Sequence, residues 1–371
     1  MKRDERRMSL RKRYAVAIVG ATGAVGTEML RLLEQRRFPV KSVRLLASSR
    51  SEGKRLRIDG RLCKVETLSR HSFHGIDLVL FSAGASRSLE FAPEAVKQGA
   101  LVVDNSSAFR MDPTVPLVVP EVNAHTLRTH PGIIANPNCS TIILTVALKP
   151  LHDAAGLRRV GVATYQSVSG AGSKAMHQLW RESRAIARRW SHYQPSSVVR
   201  DVENCVQGPL SGNTILPQRI AYNLIPQIDV FLSEGDTKGY TKEEWKMREE
   251  SRKILELPAL RVSATCVRVP IYLAHSEAVS AEFERPILAE EARKRLRNAP
   301  GVRVIDDPTR GRYPMPIEAG GCDEVFVGRI RQDPDDPKTL HLWIVGDNLR
   351  KGAATNALQI AELFAKTNRF A

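Results

Sequence analysis

The chain predicts an α/β fold: a doubly wound parallel sheet, followed by an α+β domain built on a mostly antiparallel sheet. Three observations carry this expectation. Short apolar, β-rich runs alternate with helical patterns over the first 150 residues. A glycine-rich turn joins the first run to the first helix. From about Val160 the runs lengthen and turn β-branched or alternating, with helices and Pro-rich loops between them. The length of 371 residues also suits two or three domains.

The elements follow in order. YAVAIV at 14–19 is a buried strand ending at Gly20, and GATGAVG leads into a helix over TEMLRLLEQRR. KSVRLLAS and IDLVLFSA are the next strands, PEAVKQG a helix, and ALVVDNSS a further strand. NPNCSTIILTVALKPLHDAAG opens with turn residues and continues as an apolar helix, after which we place the domain boundary. RVGVATYQSVSG, LRVSATCVRVP and LHLWIVGDN are long strands of the second domain. LRKGAATNALQIAELFAK is an amphipathic helix with apolar spacing at Ala354, Leu358, Ala361 and Leu363, expected to pack back on the first domain. The expected division is a basic arm at 1–13, a first domain at 14–150 completed by 349–371, and a second at 151–348.

With 42% apolar and 26% charged residues, a large core forms without disulfides or metal, and disorder, collagen and coiled coil are excluded. No apolar run approaches the ~20 residues of a membrane span. Five cysteines (Cys63, Cys139, Cys205, Cys266, Cys322) without C-x-x-C spacing fit neither a disulfide scaffold nor a zinc site, so no metal is expected. Without an apolar leader the expected location is the cytoplasm. The net charge of +16 suggests anionic partners. Seven basic residues fall in the arm 1–13, and Arg181, Arg184, Arg188 and Arg189 recur at helical spacing beside Trp180 and Trp190. No nucleic-acid-binding signature accompanies them, so nucleic acid is not the expected partner.

Gly20, Gly23 and Gly26, between a strand and a helix, form a turn whose backbone N–H groups can hold a pyrophosphate. The first domain is therefore expected to be a Rossmann-type dinucleotide-binding domain. Where an NAD site places a carboxylate after the second strand, this chain has Ser48, Ser49 and Arg50, with none until Glu52. Hydroxyls and a guanidinium suit a 2′-phosphate, so NADP is the expected cofactor. In Asn136-Pro137-Asn138-Cys139-Ser140-Thr141 the cysteine falls at a helix start, where the dipole is expected to lower its pKa and make it a nucleophile. Its proton partner would be His275, expected at the far end of a strand beginning at Arg268. Glu243 and Lys246, at i and i+3, share one helical face.

These motifs resemble the aspartate-semialdehyde dehydrogenase family. The likeness runs from about Ala15 to the C-terminus and rests on GATGAVG, DNSSAFR, VVPEVN, NPNCST, TYQSVSGAG, RVPIYLAHSE and DEVFVGRIRQD. It implies that Cys139 is the nucleophile, His275 the acid/base, and Gln166 the residue orienting substrate, with Asn138 helping to shape the site. By the same resemblance Arg110 and Lys246 would bind phosphate, Arg268 the substrate α-carboxylate, and Glu243 its ammonium. Cofactor contacts would come from Gly20, Thr22, Gly23, Val25, Gly26, Ser48, Ser49, Arg50, Ser82, Gly84, Ser169, Gly170 and Asn348. The implied partners are L-aspartyl 4-phosphate, phosphate and a second copy in a homodimer. An N-acetylglutamyl-phosphate reductase would carry glycine before its cysteine and need no Glu243. A glyceraldehyde-3-phosphate-type enzyme would use NAD and another cysteine context. A non-catalytic binding protein would not need Cys139, Gln166, Arg268 and His275 together.

Overall fold

The computed structural model describes residues 13–128, 130–189 and 215–367. Residues 1–12 of the expected arm 1–13, Trp190, Cys205 and residues 368–371 lie outside them. Strand β1 (Tyr14–Val19) is buried along its whole length, as the centre of a parallel sheet requires. Helix α1 (Ala24–Gln35) follows, then β2 (Val40–Ala47), β3 (Arg55–Ile58), β4 (Arg61–Thr67) and β5 (Leu78–Phe81). Helix α2 (Ala85–Lys97), β6 (Leu101–Asp104) and β7 (Ile133–Ala135) complete this half. The seven strands are ordered β3-β4-β2-β1-β5-β6-β7, all parallel except the β3–β4 hairpin.

Three elements of this half differ from the expected ones, the three-residue β7 among them, which was not anticipated. The hairpin was not anticipated, although Asp59-Gly60 between its strands, both at positive φ, is a favoured two-residue turn. The PEAVKQG helix begins eight residues earlier than Pro93, at Ala85. Pro93 lies inside it, where its missing N–H forfeits one helical bond while Phe91, Ala92 and Ala95 keep the helix on the sheet.

Helix α3 (Cys139–Ala155) crosses between the halves, with Ile142 to Leu148 all buried. One apolar core contains this helix together with Val79 and Val102 of the first sheet and Val160, Val279 and Leu342 of the second. The second half holds β8 (Leu157–Gln166), α4 (Ser173–Arg189), α5 (Lys242–Leu255), β9 (Arg261–Arg268), β10 (His275–Phe283), α6 (Ala289–Arg297), β11 (Val302–Val304), β12 (Val325–Gln332) and β13 (Thr339–Gly346). Its sheet runs β11-β12-β13-β10-β8-β9, antiparallel except at the two outer pairs.

Contrary to expectation, Arg268 and His275 do not share a strand. Arg268 ends β9 and His275 begins β10, because Pro270 has no N–H to continue the ladder and Ala274 turns the chain at φ 69. The two strands thus lie on either side of β8. The C-terminal segment returns to the first half as a π turn, Arg350–Ala354, and helix α7 (Thr355–Thr367). Ala354, Leu358, Ile360, Ala361 and Phe364 fill the core on the α1 face of the first sheet, whereas Leu363 is only partly buried. Among the described residues no helix is long and apolar enough to cross a membrane.

Candidate active site

The register of the second sheet builds the site. Arg268 of β9 pairs with Gln166 of β8, Gln166 with His275 of β10, and His275 with Gly346 of β13. Directly paired residues share a face, so three of the expected site residues form one row across three strands. Opposite this row, α3 offers Cys139 at its first position. Asn138 caps the helix, its Oδ1 accepting the N–H groups of Ser140 (3.0 Å) and Thr141 (3.3 Å).

Helix α5 supplies the third wall. Thr241 and Glu244 form a capping box that fixes its start. Glu243, Lys246 and Glu250 then project from one face at i, i+3 and i+7. Glu243 Oε1 accepts from Asn138 Nδ2 (2.9 Å) and Gln166 Nε2 (3.3 Å), and Oε2 lies 3.4 Å from Lys246 Nζ. Lys246 also donates to Asp229 at 2.8 Å. Burial works against its ammonium, but Glu243 and Asp229 outweigh it and raise its pKa. Glu250 accepts from Asn138 N (2.6 Å) and Arg110 Nη1 (3.0 Å). Arg110 is further anchored to the carbonyls of Asn136 and Asn105, while each terminal nitrogen keeps a second hydrogen. Neither Glu250 nor Asp229 was expected. Only Glu250 had a readable signal in the chain, its helical i+7 spacing from Glu243.

A cleft of about 420 Å³ is lined by Arg110, Asn138, Cys139, Gln166, Glu243, Lys246 and Arg268, together with Val25, Ser82, Ser169, Gly170 and Asn348. Arg268 is buried, donates to the Ser167 carbonyl at 2.7 Å, and keeps an Nε without a partner among the described residues. His275 does not line this cleft. It lies behind Gly170, where an added Cβ would stand 3.4 Å from His275 Nε2 and 3.1 Å from Arg268 Nη1. Its Nδ1 accepts the Ser167 N–H at 3.1 Å in the tautomer with the ring proton on Nε2, and donates to the Ser167 hydroxyl at 3.1 Å in the other. Burial and then Arg268 push the ring down to about 3, so it is neutral.

The thiol departs from expectation. Burial, and secondarily the Glu243 carboxylate, push Cys139 up to about 12, although Arg268, Arg110 and the Ser140 N–H favour the thiolate. The helix-end effect is real but smaller than desolvation, and its N–H groups are shared with the Asn138 cap.

A second cavity, of about 530 Å³, opens at the carboxyl ends of β1, β2 and β5. Gly20, Thr22, Gly23, Ser48, Ser49, Arg50 and Ser82 line it, and Ser82 also lines the cleft, joining the two spaces. Helix α1 begins there with no side-chain cap, leaving its first N–H groups to an anion such as a dinucleotide pyrophosphate. Gly26 is not in the lining. It serves packing, since a Cβ there would stand 2.2 Å from the Gly20 carbonyl oxygen. Gly84 precedes α2 and lines neither space. Asn348 Oδ1 accepts from Ser167, Ser169 and the Ala274 N–H, each at 3.1 Å.

Fold and cleft together define a two-domain semialdehyde dehydrogenase. The family model described as "Semialdehyde dehydrogenase, NAD binding domain" matches residues 15–130, making the first half a nicotinamide-cofactor domain. The model "Semialdehyde dehydrogenase, dimerisation domain" matches residues 148–351. Aspartate-semialdehyde dehydrogenase of Aquifex aeolicus is 53% identical over 95% of this chain and 98% of its own. That of Bacillus subtilis is 49% identical over 95% and 98%. The crystal structure of aspartate semialdehyde dehydrogenase II from Vibrio cholerae superposes with a TM-score of 0.86 at 43% identity, covering 96% of this chain and 99% of that one. The chain belongs to the aspartate-semialdehyde dehydrogenase family of oxidoreductases.

Proposed function

We propose that the cleft reduces L-aspartyl 4-phosphate to L-aspartate 4-semialdehyde with NADPH, through a Cys139 thioester, as a step of lysine, threonine and methionine biosynthesis. The observation that carries this reading is the ordering of charge around one thiol. Arg268 offers an unpartnered Nε beside its terminal nitrogens, a fork for the α-carboxylate. Glu243 can take the ammonium, and Arg110 and Lys246 face the same space with hydrogens for phosphate. Gln166, tied to Glu243, orients the acyl group at sulfur, and Asn138 holds the helix start.

The Cys139 thiolate attacks the acyl carbon, the bond from that carbon to the phosphate oxygen breaks, and phosphate leaves toward Arg110 and Lys246. A thioester accepts hydride more readily than a carboxylate, which is why a cysteine serves here. Gly20, Thr22, Gly23, Ser48, Ser49 and Arg50 would hold a nicotinamide cofactor, which would supply that hydride. The carbon–sulfur bond then breaks, giving aldehyde and returning the electron pair to sulfur. In the tautomer whose Nδ1–H donates to the Ser167 hydroxyl (3.1 Å), His275 takes the thiol proton at Nε2 as sulfur attacks, and the resulting imidazolium returns it to the departing thiolate.

Ser48, Ser49 and Arg50 favour a 2′-phosphate, and Glu52 is turned to the Thr67 hydroxyl at 2.9 Å. A Candida albicans enzyme of the family, described with NADP, shares the fold at 25% identity and a TM-score of 0.70. The Vibrio cholerae enzyme is also described as complexed with ASA. We assign NADP binding to residues 14–150 with 349–371, catalysis and homodimer formation to 151–348, and a cytoplasmic location.

The direct test is the reverse assay, NADP reduction by aspartate semialdehyde and phosphate, run beside N-acetylglutamate semialdehyde. Only the free amine should turn over. An acetylated substrate offers Glu243 no ammonium and so forgoes a charge-assisted hydrogen bond of about 1.5–3 kcal/mol, although Lys246 still faces the carboxylate. Equal or faster oxidation of the acetylated compound would show the substrate reading to be wrong.

A further inference from the structure

Among the described residues Lys351 is the one lysine that is buried, with its side chain fully enclosed. Its ammonium meets three acceptors: Glu121 Oε2 at 2.6 Å, Gln359 Oε1 at 2.7 Å and Asn356 Oδ1 at 3.0 Å. Those are all the hydrogens an ammonium has. Gln359 Nε2 closes the ring on Glu121 Oε1 at 2.9 Å. Burial pushes the Lys351 ammonium down and outweighs Glu121 there, whereas at Glu121 the lysine more than offsets burial and holds the carboxyl down; three acceptors around one nitrogen favour the ammonium.

No step of the proposed reaction uses Lys351, and it does not line the cleft. Its neighbours do. Gly352, the next residue, lies against the thiol-bearing residue so closely that a Cβ there would stand 2.8 Å from Cys139 Cβ. Asn356 carries the connection further, donating to Asn136 Oδ1 at 2.7 Å and the Val118 carbonyl at 2.8 Å. Asn136 donates back to the Ala353 carbonyl at 3.3 Å and offers its own carbonyl to Arg110. Asn136 begins the turn that ends at Cys139.

We propose that Lys351 is a positioning residue for the Cys139 thiol, fixing the Asn136–Cys139 turn through Asn356 and the π turn through Gly352. An apolar chain would fill the same volume without the desolvation cost of a buried ammonium. It could not hold three polar groups from two segments in one arrangement. The consequence for turnover rests on Cys139 as nucleophile; the consequence for the thiol itself does not.

The experiment is Lys351→Met in the full chain, reading iodoacetamide alkylation of Cys139 against pH, with the site located by peptide mass. Turnover and thermal midpoint are measured alongside. The alkylation profile should shift along the pH axis, since Glu243, Arg268 and Arg110 act on sulfur at distances the turn sets. Turnover should fall about 10- to 100-fold, as for a misplaced reacting group, with cofactor KM within about threefold. A lower thermal midpoint with an unmoved alkylation profile would overturn the proposal. If Lys351→Met does not fold, Gln359→Met decides, because it removes one acceptor at a half-buried position. It should move the profile in the same sense by less, and an unmoved profile again overturns the proposal. An active Cys139→Ser enzyme would instead sink the nucleophile assignment and leave the alkylation result standing.

Discussion

Four of the five cysteines have no part in the proposed acylation, and the surroundings of three of them say why. Cys266 is buried with its sulfur 3.6 Å from Met247 Sδ, and Cys63 and Cys322 are half-buried outside the cleft. Cys205 lies beyond the described residues. Cys139→Ala should abolish turnover, while Cys63→Ala, Cys205→Ala and Cys322→Ala keep most of it; an assay of the four purified variants decides. His275→Asn should lower kcat by about 10²–10⁴ and leave cofactor binding nearly intact. The same histidine makes a stability prediction. Its folded value of about 3 lies below the ordinary 6.5, so between those values the unfolded chain binds a proton that the folded chain does not. This contribution is complete above about pH 6.5 and lost as pH falls toward 3. Thermal midpoints of His275→Asn should therefore decline less than those of the parent between about pH 6.5 and 4.

Strand β10 sets a second row beneath the first: Cys266, Thr164, Glu277 and Ile344 pair across four strands. Glu277 is fully buried, neither carboxylate oxygen has a partner among the described residues, and burial raises its pKa well above 4.5. A raised acid stabilises the fold below the unfolded value and loses that contribution as pH rises. Glu277→Gln keeps the shape and removes the titration. Its thermal midpoint should exceed the parent's by a margin that widens from about pH 5 to 8, and a margin constant with pH would refute this. These rows also mark what a sequence can disclose. Apolar periodicity and glycine placement made the strand–helix alternation, the cysteine turn and the charged face of α5 readable. Register is a property of paired strands, so nothing in the chain order said that Arg268, Gln166 and His275 would align. The break at Pro270 is present in the residues but is masked by the β-branched run before it. The raised thiol was not legible because burial, the dominant influence on it, comes from Gly352 and α5, both remote in the chain.

At the scale of the molecule, the cofactor end and the chemical end are separate spaces joined at Ser82. Cofactor choice should thus be alterable without touching the chemistry. The parent should prefer NADPH by about 10- to 10³-fold, at roughly 1.5–3 kcal/mol per charge-assisted hydrogen bond. Arg50→Ala should erase much of that gap by weakening NADPH alone; equal use of both cofactors by the parent would count against it. Ion pairs of Arg36 with Glu362 and Asp323, and of Arg350 with Glu28 and Asp323, bind the returning segment to α1.

That return has a consequence for biogenesis. During vectorial synthesis every strand of the first sheet leaves the ribosome before residue 140, yet Leu358, Ile360 and Phe364, which cover one of its faces, are made more than two hundred residues later. Until those residues are made, the nascent chain carries an apolar sheet face that α1 covers only in part, a surface that holdase chaperones recognise and that stalled fragments expose to aggregation.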